Sequence, residues 1–111
     1  MRKLSRLLVA AAIMTLAAPS LAQTPDGAAL FEANKCFACH GKDGRADTLL
    51  GKKEKVPDFT SAAFQQKVSD DQLREVITHG RQDTKMKAFG DKLSPGQVDA
   101  LVKFVRGFGK Q

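Results

Sequence analysis

The sequence predicts an all-α fold of three to four short helices, and three observations carry that prediction. Two capping boxes, Ser69-Asp70-Asp71-Gln72 and Ser94-Pro95-Gly96-Gln97, each open a run of apolar residues spaced three and four apart. Strand-type alternation is weak throughout, and the sequence holds no internal repeat or low-complexity tract. Its length of 111 residues fits about one domain.

The first element reads as a targeting segment outside the fold. Met1 to Arg6 holds Arg2, Lys3 and Arg6 and no acid, Leu7 to Ala18 is a largely apolar run of 12 residues, and Pro19 breaks it. Ser20-Leu21-Ala22 then puts small residues where a signal peptidase reads, so residues 1–22 are expected to form a cleaved secretory signal peptide. The apolar run falls short of the about 20 residues a membrane-spanning helix needs, which weighs against an uncleaved anchor. The expected mature domain is residues 23–111, soluble after signal cleavage and in the periplasm or otherwise exported. Removing the signal also changes the charge. The full chain has 18 Lys and Arg against 12 acids, a net +6, whereas the mature region keeps 15 bases and a net +3. A strongly basic chain becomes mildly basic, and no nucleic-acid partner is expected.

The helices follow in order. Thr24 is placed to cap the first, with Pro25 at its first helical position and Asp26 complementing the dipole. Gly27 to Lys35 continues it directly into Cys36. Gly41 to Asp58, with three glycines, one proline and many charges, reads as a long loop. Loops of that length in small domains tend to be functional or to wrap something. Thr60 or Ser61 caps a short helix through Gln66. Ser69 starts the next, with Leu73, Val76 and Ile77 on one face and Gly80 after His79 as the C-cap. The last helix, about Pro95 to Arg106, carries Val98, Leu101, Val102, Val105 and Phe108 as a broad stripe, closed by Gly107 and Gly109.

Such short helices with so long a loop bury little apolar surface, and natural domains of this size often lean on a disulfide, a metal or a large cofactor. Export would normally pair the two cysteines, Cys36 and Cys39. A disulfide across so short a loop would stabilise little, because the benefit grows with the length of loop closed. These thiols are expected to serve chemistry.

Cys36-Phe37-Ala38-Cys39-His40 has the pattern of a c-type haem attachment site. Two thiols three residues apart reach the two vinyl groups on one porphyrin edge and form thioethers. The adjacent imidazole can then coordinate the iron axially. A thioredoxin-like redox pair would expect a βαβ context, which the sequence lacks. A zinc site needs four ligands, and the mature chain could assemble them only from both cysteines, His40 and His79. Met1 and Met14 leave with the signal, so Met86 is the single thioether of the mature chain, 46 residues beyond His40. A lone Met is usually core filler. Lys85 and Lys87 beside it and an irregular setting make it the expected second axial ligand, a His/Met pair that raises the reduction potential. His79 is the rival, read instead as a helix C-terminal residue facing the dipole.

At these residues the chain resembles the class I cytochromes c, of the small bacterial monohaem type, over the whole mature region. The resemblance lies in the helix leading into Cys36-Phe37-Ala38-Cys39-His40-Gly41, in Val56-Pro57-Asp58-Phe59-Thr60, in Met86-Lys87-Ala88-Phe89, and in Lys92 through Arg106. It implies a small cytochrome c fold of three to four short helices wrapped around one covalently bound haem c. Cys36 and Cys39 would be thioether-linked, His40 proximal and Met86 distal. Gly27 and Phe31 would pack across Leu101 and Phe104 of the last helix, where glycine permits a close crossing. The chain departs from that family's common pattern in having Lys87 after the distal Met and no proline between His40 and Pro57.

An iron with protein ligands on both faces has no vacant site for substrate and can still pass one electron, its potential tuned by ligands, burial and hydrogen bonds. The expected function is therefore a soluble exported electron carrier between redox proteins, with no catalytic residues and no enzymatic activity of its own. Lys42, Arg45, Lys52, Lys53, Lys55, Lys85 and Lys87 would steer it toward acidic docking surfaces if they ring the haem edge, and form an ordinary solvated surface if they do not. Two alternatives stand beside this reading. One is an enzyme or sensor with an open iron acting on peroxide or gases; the other is a haem subunit of a larger oxidoreductase complex.

Overall fold

The computed structural model describes residues 9–14 and 25–110. The charged start of the chain, Pro19, the cleavage positions and Thr24 lie outside the described residues. Among the described residues the structure is helical with no strand, in six helices where three to four were expected. These are α1 (Gly27–Ala33), α2 (Phe37–His40), α3 (Leu49–Lys53), α4 (Ala62–Lys67), α5 (Asp70–His79) and α6 (Pro95–Phe108).

Side-chain caps set most of the helix starts. The Asp26 carboxylate accepts from the Ala28 amide at 3.0 Å and the Ala29 amide at 3.4 Å, so Asp26 caps α1 and Pro25 lies outside it. One anion there satisfies two free amides and meets the positive end of the dipole. Ser61 caps α4 through the Phe64 amide. Both expected capping boxes are present: the Ser69 and Ser94 hydroxyls accept from Gln72 and Gln97, whose side chains accept back from the serine amides at 2.9 Å. Gly80 ends α5. The last helix runs two residues past Arg106, because continuing through Gly107 buries Phe108; Gly109 is its cap. Within the expected long loop, Thr48 caps the five-residue α3 by accepting from Gly51.

The core forms where α6 lays its stripe against α1, α5 and the loop after α3. Val98, Leu101, Val102, Val105 and Phe108 are all buried, together with Phe31, Phe59, Leu73, Ile77 and Leu93. At the α1–α6 crossing the Phe31 ring lies 5.0 Å from Phe104 and 5.8 Å from Phe108, centroid to centroid. A Cβ on Gly27 would overlap the Ala100 carbonyl oxygen and lie 2.7 Å from the Phe104 Cβ, so only glycine permits this approach.

Arg106 ties three helices together. Its guanidinium donates to Asp70 at 2.7 Å, to the Gln65 carbonyl and side-chain oxygens at 3.0 and 2.9 Å, and to the Val68 carbonyl at 2.5 Å. Charge-assisted bonds are the stronger kind, and losing the donor leaves the carbonyls at the end of α4 with fewer partners. Arg106→Met is expected to cost about 2 kcal/mol, lowering the thermal midpoint by roughly 10 °C in a domain of this size, as calorimetry would show.

Candidate functional site

The Cys-x-x-Cys-His segment is built as a single helical turn. The chain leaves α1 through Lys35, at φ 57°, and the Cys36 amide donates to the Phe31 carbonyl at 3.0 Å. His40 and Gly41 then close the turn onto the Cys36 and Phe37 carbonyls at 2.9 and 2.8 Å. Cys36, Cys39 and His40 thus stand three and four residues apart on a helix, the spacing that puts side chains on one face. Both cysteines are free thiols of intermediate exposure. Burial pushes the Cys36 thiol up and the charge of Cys39 adds to this, against a backbone hydrogen bond that opposes it.

His40 is the most informative side chain. Burial pushes its imidazole down to about 4, so the ring is neutral at physiological pH. Its Nδ1 is buried with no hydrogen-bond partner among the described residues. Buried polar atoms are normally paired, and a neutral imidazole is the form that ligates a metal. An imidazole kept neutral beside two free thiols fits the covalent haem that the motif calls for.

The ring lies on Phe59, with centroids 4.6 Å apart and planes at 18°. Phe59 is itself fastened in place. Its amide donates to the Gly44 carbonyl at 2.8 Å, and its carbonyl accepts from the Gln65 side chain at 2.7 Å. Just before it, the Asp58 carboxylate accepts from the Thr60 hydroxyl at 2.6 Å and the Thr60 amide at 2.8 Å, and the hydroxyl bond above all holds Asp58 below its usual range. The support of His40 by Phe59 was not read from the sequence. Its signal was an aromatic residue alone in a polar stretch after Pro57.

Thr48 joins the motif to the loop beyond it. Its hydroxyl donates to the Ala38 carbonyl at 2.8 Å while accepting from the Gly51 amide at 2.8 Å.

Met86 lies between α5 and α6, half-buried between exposed Lys85 and Lys87. It packs on the same apolar cluster that Cys36 and Phe37 touch and to which Phe59 belongs. The segment carrying it is closed by backbone bonds: Arg81 donates to the Met86 carbonyl at 3.1 Å, and Phe89 and Gly90 donate to Ile77 and Thr78 at 2.9 Å. Thr84 completes the turn, donating to the Arg81 carbonyl at 2.7 Å and accepting from the Met86 amide at 3.2 Å. The return depends on Gly80, at φ 74°, where a Cβ would lie 2.8 Å from the Met86 oxygen and 2.9 Å from the Ala88 amide. His79 stands apart, exposed, with its Nε2 3.9 Å from Glu75. No group of three or more His, Cys, Asp or Glu side chains is gathered for a metal among the described residues, so the zinc set with His79 is not assembled there.

Comparison with known proteins points to one family. Residues 22–105 match the family described as cytochrome C oxidase, cbb3-type, subunit III. The KustC0563 c-type cytochrome has a similar solved structure, with a TM-score of 0.68 and 41% identity over 75% of this chain and 96% of that one. The cbb3-type cytochrome c oxidase subunit FixP of Azorhizobium caulinodans is 34% identical over 83 residues, 75% of this chain. The dihydro-heme d1 dehydrogenase of Pseudomonas aeruginosa is 35% identical over 103 residues, 90% of this chain. The chain spans only 26% and 18% of the length of these two relatives. With one helical turn carrying both thiols and the imidazole, and with these relatives, the chain belongs to the cbb3-type cytochrome c oxidase subunit III family and is a small c-type cytochrome.

Proposed function

We propose that this chain is an exported carrier of single electrons whose one haem c is attached through Cys36 and Cys39, with His40 and Met86 as the axial ligands. Membership of the family makes it a haem-binding electron carrier that works with redox proteins. The observation that carries the finer reading is convergence: Cys36 and Met86, 50 positions apart, pack on one apolar cluster, and the neutral His40 leans on Phe59 of that cluster. When bound, the haem supplies a one-electron couple whose potential follows axial-ligand identity and burial. The chain's part is to hold a neutral imidazole against the buried ring of Phe59 and to present a thioether from a turn closed by backbone bonds. Export is supported by the reading of residues 1–22; no helix among the described residues is long and apolar enough to cross a membrane.

Absorption spectra of the purified protein, oxidised and reduced, with the reduced form repeated under carbon monoxide, test the reading. Expected are sharp reduced c-type bands, the weak long-wavelength band of methionine bound to ferric iron, and no response to carbon monoxide. A shifted spectrum under carbon monoxide would move the function to an open-iron enzyme or sensor.

A second reading has support in the longer relatives, one named an oxidase subunit and one a dehydrogenase. In that reading the chain is the haem-bearing subunit of a larger oxidoreductase. Co-purification of the tagged chain with a stoichiometric catalytic partner would favour it, and recovery of the chain alone would favour the free carrier.

A further inference from the structure

We infer that Phe59 and Gln65 are positioning residues for His40, an inference that rests on the reading of His40 as an axial ligand. Gln65, locked by Arg106, holds Phe59 against the imidazole and so fixes the plane of the ring. A ligating histidine is usually aligned by a hydrogen bond from its second ring nitrogen. Here Nδ1 is buried with no such partner among the described residues. The torsion that turns an imidazole on its stem is broad, so the stem alone selects no plane. What packs on the face of the ring does, and that is Phe59, 4.6 Å away with planes at 18°.

Phe59 is held on every side. Its ring is buried, with Phe64 5.1 Å away at 43° and Phe108 6.0 Å away at 26°. Both of its backbone polar groups are engaged, the amide with the Gly44 carbonyl at 2.8 Å and the carbonyl with Gln65 Nε2 at 2.7 Å. Among the described residues, Gln65 is the one side chain that bonds this backbone.

Gln65 ties that backbone to α6. Its Nε2 also donates to the Val105 carbonyl at 3.1 Å, and its Oε1 accepts from Arg106 at 2.9 Å. A guanidinium only donates and a carbonyl only accepts, so the amide fits in a single orientation with both ends used. A Cβ on Gly109 would lie 2.7 Å from Gln65 Cγ, so the C-cap of α6 leaves the space its stem occupies. A glutamate at position 65 would keep the shape and the contact with Arg106. It would also turn an oxygen toward two carbonyl oxygens and leave the Phe59 carbonyl without its donor.

The test is proton NMR and EPR of the oxidised, haem-loaded protein, because haem-methyl shifts and low-spin EPR lines follow the plane of an axial imidazole. Phe59→Leu keeps an apolar side chain and removes the flat face. It is expected to shift the haem-methyl resonances and move the low-spin lines. Gln65→Glu is expected to shift both in the same direction by less. Ser94→Ala, which removes the cap at the start of α6, is expected to lower the thermal midpoint and leave both spectra as in the parent. Parent-like spectra in Gln65→Glu overturn the inference, and this variant leaves every ring in place, so it decides even where Phe59→Leu fails to load haem. Parent-like spectra in Phe59→Leu overturn it too, as does an equal shift in Ser94→Ala, which would tie the spectra to stability alone. A parent protein with no low-spin haem instead removes the axial-ligand reading, before any variant is compared.

Discussion

Met86→Ala is expected to turn a protein indifferent to carbon monoxide into one that binds it, and to lower the reduction potential by on the order of 200 mV. The magnitude is about a quarter of the roughly 0.8 V range over which axial ligands set haem potentials. Met86 is the only thioether in residues 23–111, so no second methionine can replace it. The fold should survive the change. The bonds that close the segment run between Arg81 and the Met86 carbonyl and between Phe89, Gly90 and the end of α5, and none uses the methionine side chain. Truncating a half-buried methionine then costs only the lower part of the usual 2–5 kcal/mol range, about 2 kcal/mol. A potentiometric titration and the carbon monoxide difference spectrum check the expectation. An unchanged potential with no carbon monoxide response would remove Met86 from the iron and leave His79 as the second ligand.

Gly27→Val is expected to destabilise the domain by about 3 kcal/mol, the upper end of what overpacking costs. Its Cβ would meet the Ala100 carbonyl oxygen and the Phe104 Cβ, atoms that belong to α6 and cannot swing aside as a long side chain can. Relief requires α1 to lift from α6, which parts Phe31 from Phe104 and Phe108 and loosens the stack that continues through Phe59 to His40. The expected fall in thermal midpoint is roughly 12–24 °C, from about 4–8 °C per kcal/mol in a domain of this size. Calorimetry on the haem-loaded protein measures it. A contrasting Gly107→Ala, at a helical position whose Cβ meets nothing within 4 Å, should leave the midpoint unchanged or raise it by the helix propensity gained. Equal losses in both variants would show that the α1–α6 crossing is not where glycine matters.

The parts legible in the sequence are those governed by local rules. Both capping boxes, the helix ended by Gly80 and the apolar stripe from Val98 to Phe108 each follow from residues within a few positions of one another, and all are present. The Cys-x-x-Cys-His motif was legible for the same reason, since it sets two thiols and an imidazole at fixed short spacing. Where local signals competed, the reading slipped. Thr24 and Pro25 looked like a helix start, yet the Asp26 carboxylate reaches two amides and sets the start at Gly27. Three glycines and many charges made residues 41–58 look irregular, yet Thr48 gains a second bond, to Ala38, that holds α3 in place.

What the sequence determined by itself was the identity of the reactive groups, the helical class and the faces its longer helices bury. Tertiary structure alone decided that Phe59 supports His40, that Gln65 and Arg106 join α4 to α6, and that Leu49 and Leu50 stay in solvent while Met86 comes to the core. Each of these depends on atoms brought together from distant positions, 19 residues apart for His40 and Phe59 and 41 for Arg106 and Gln65. Helical periodicity acts over three or four residues, so it specifies which side of a helix is apolar but not which loop will close over it.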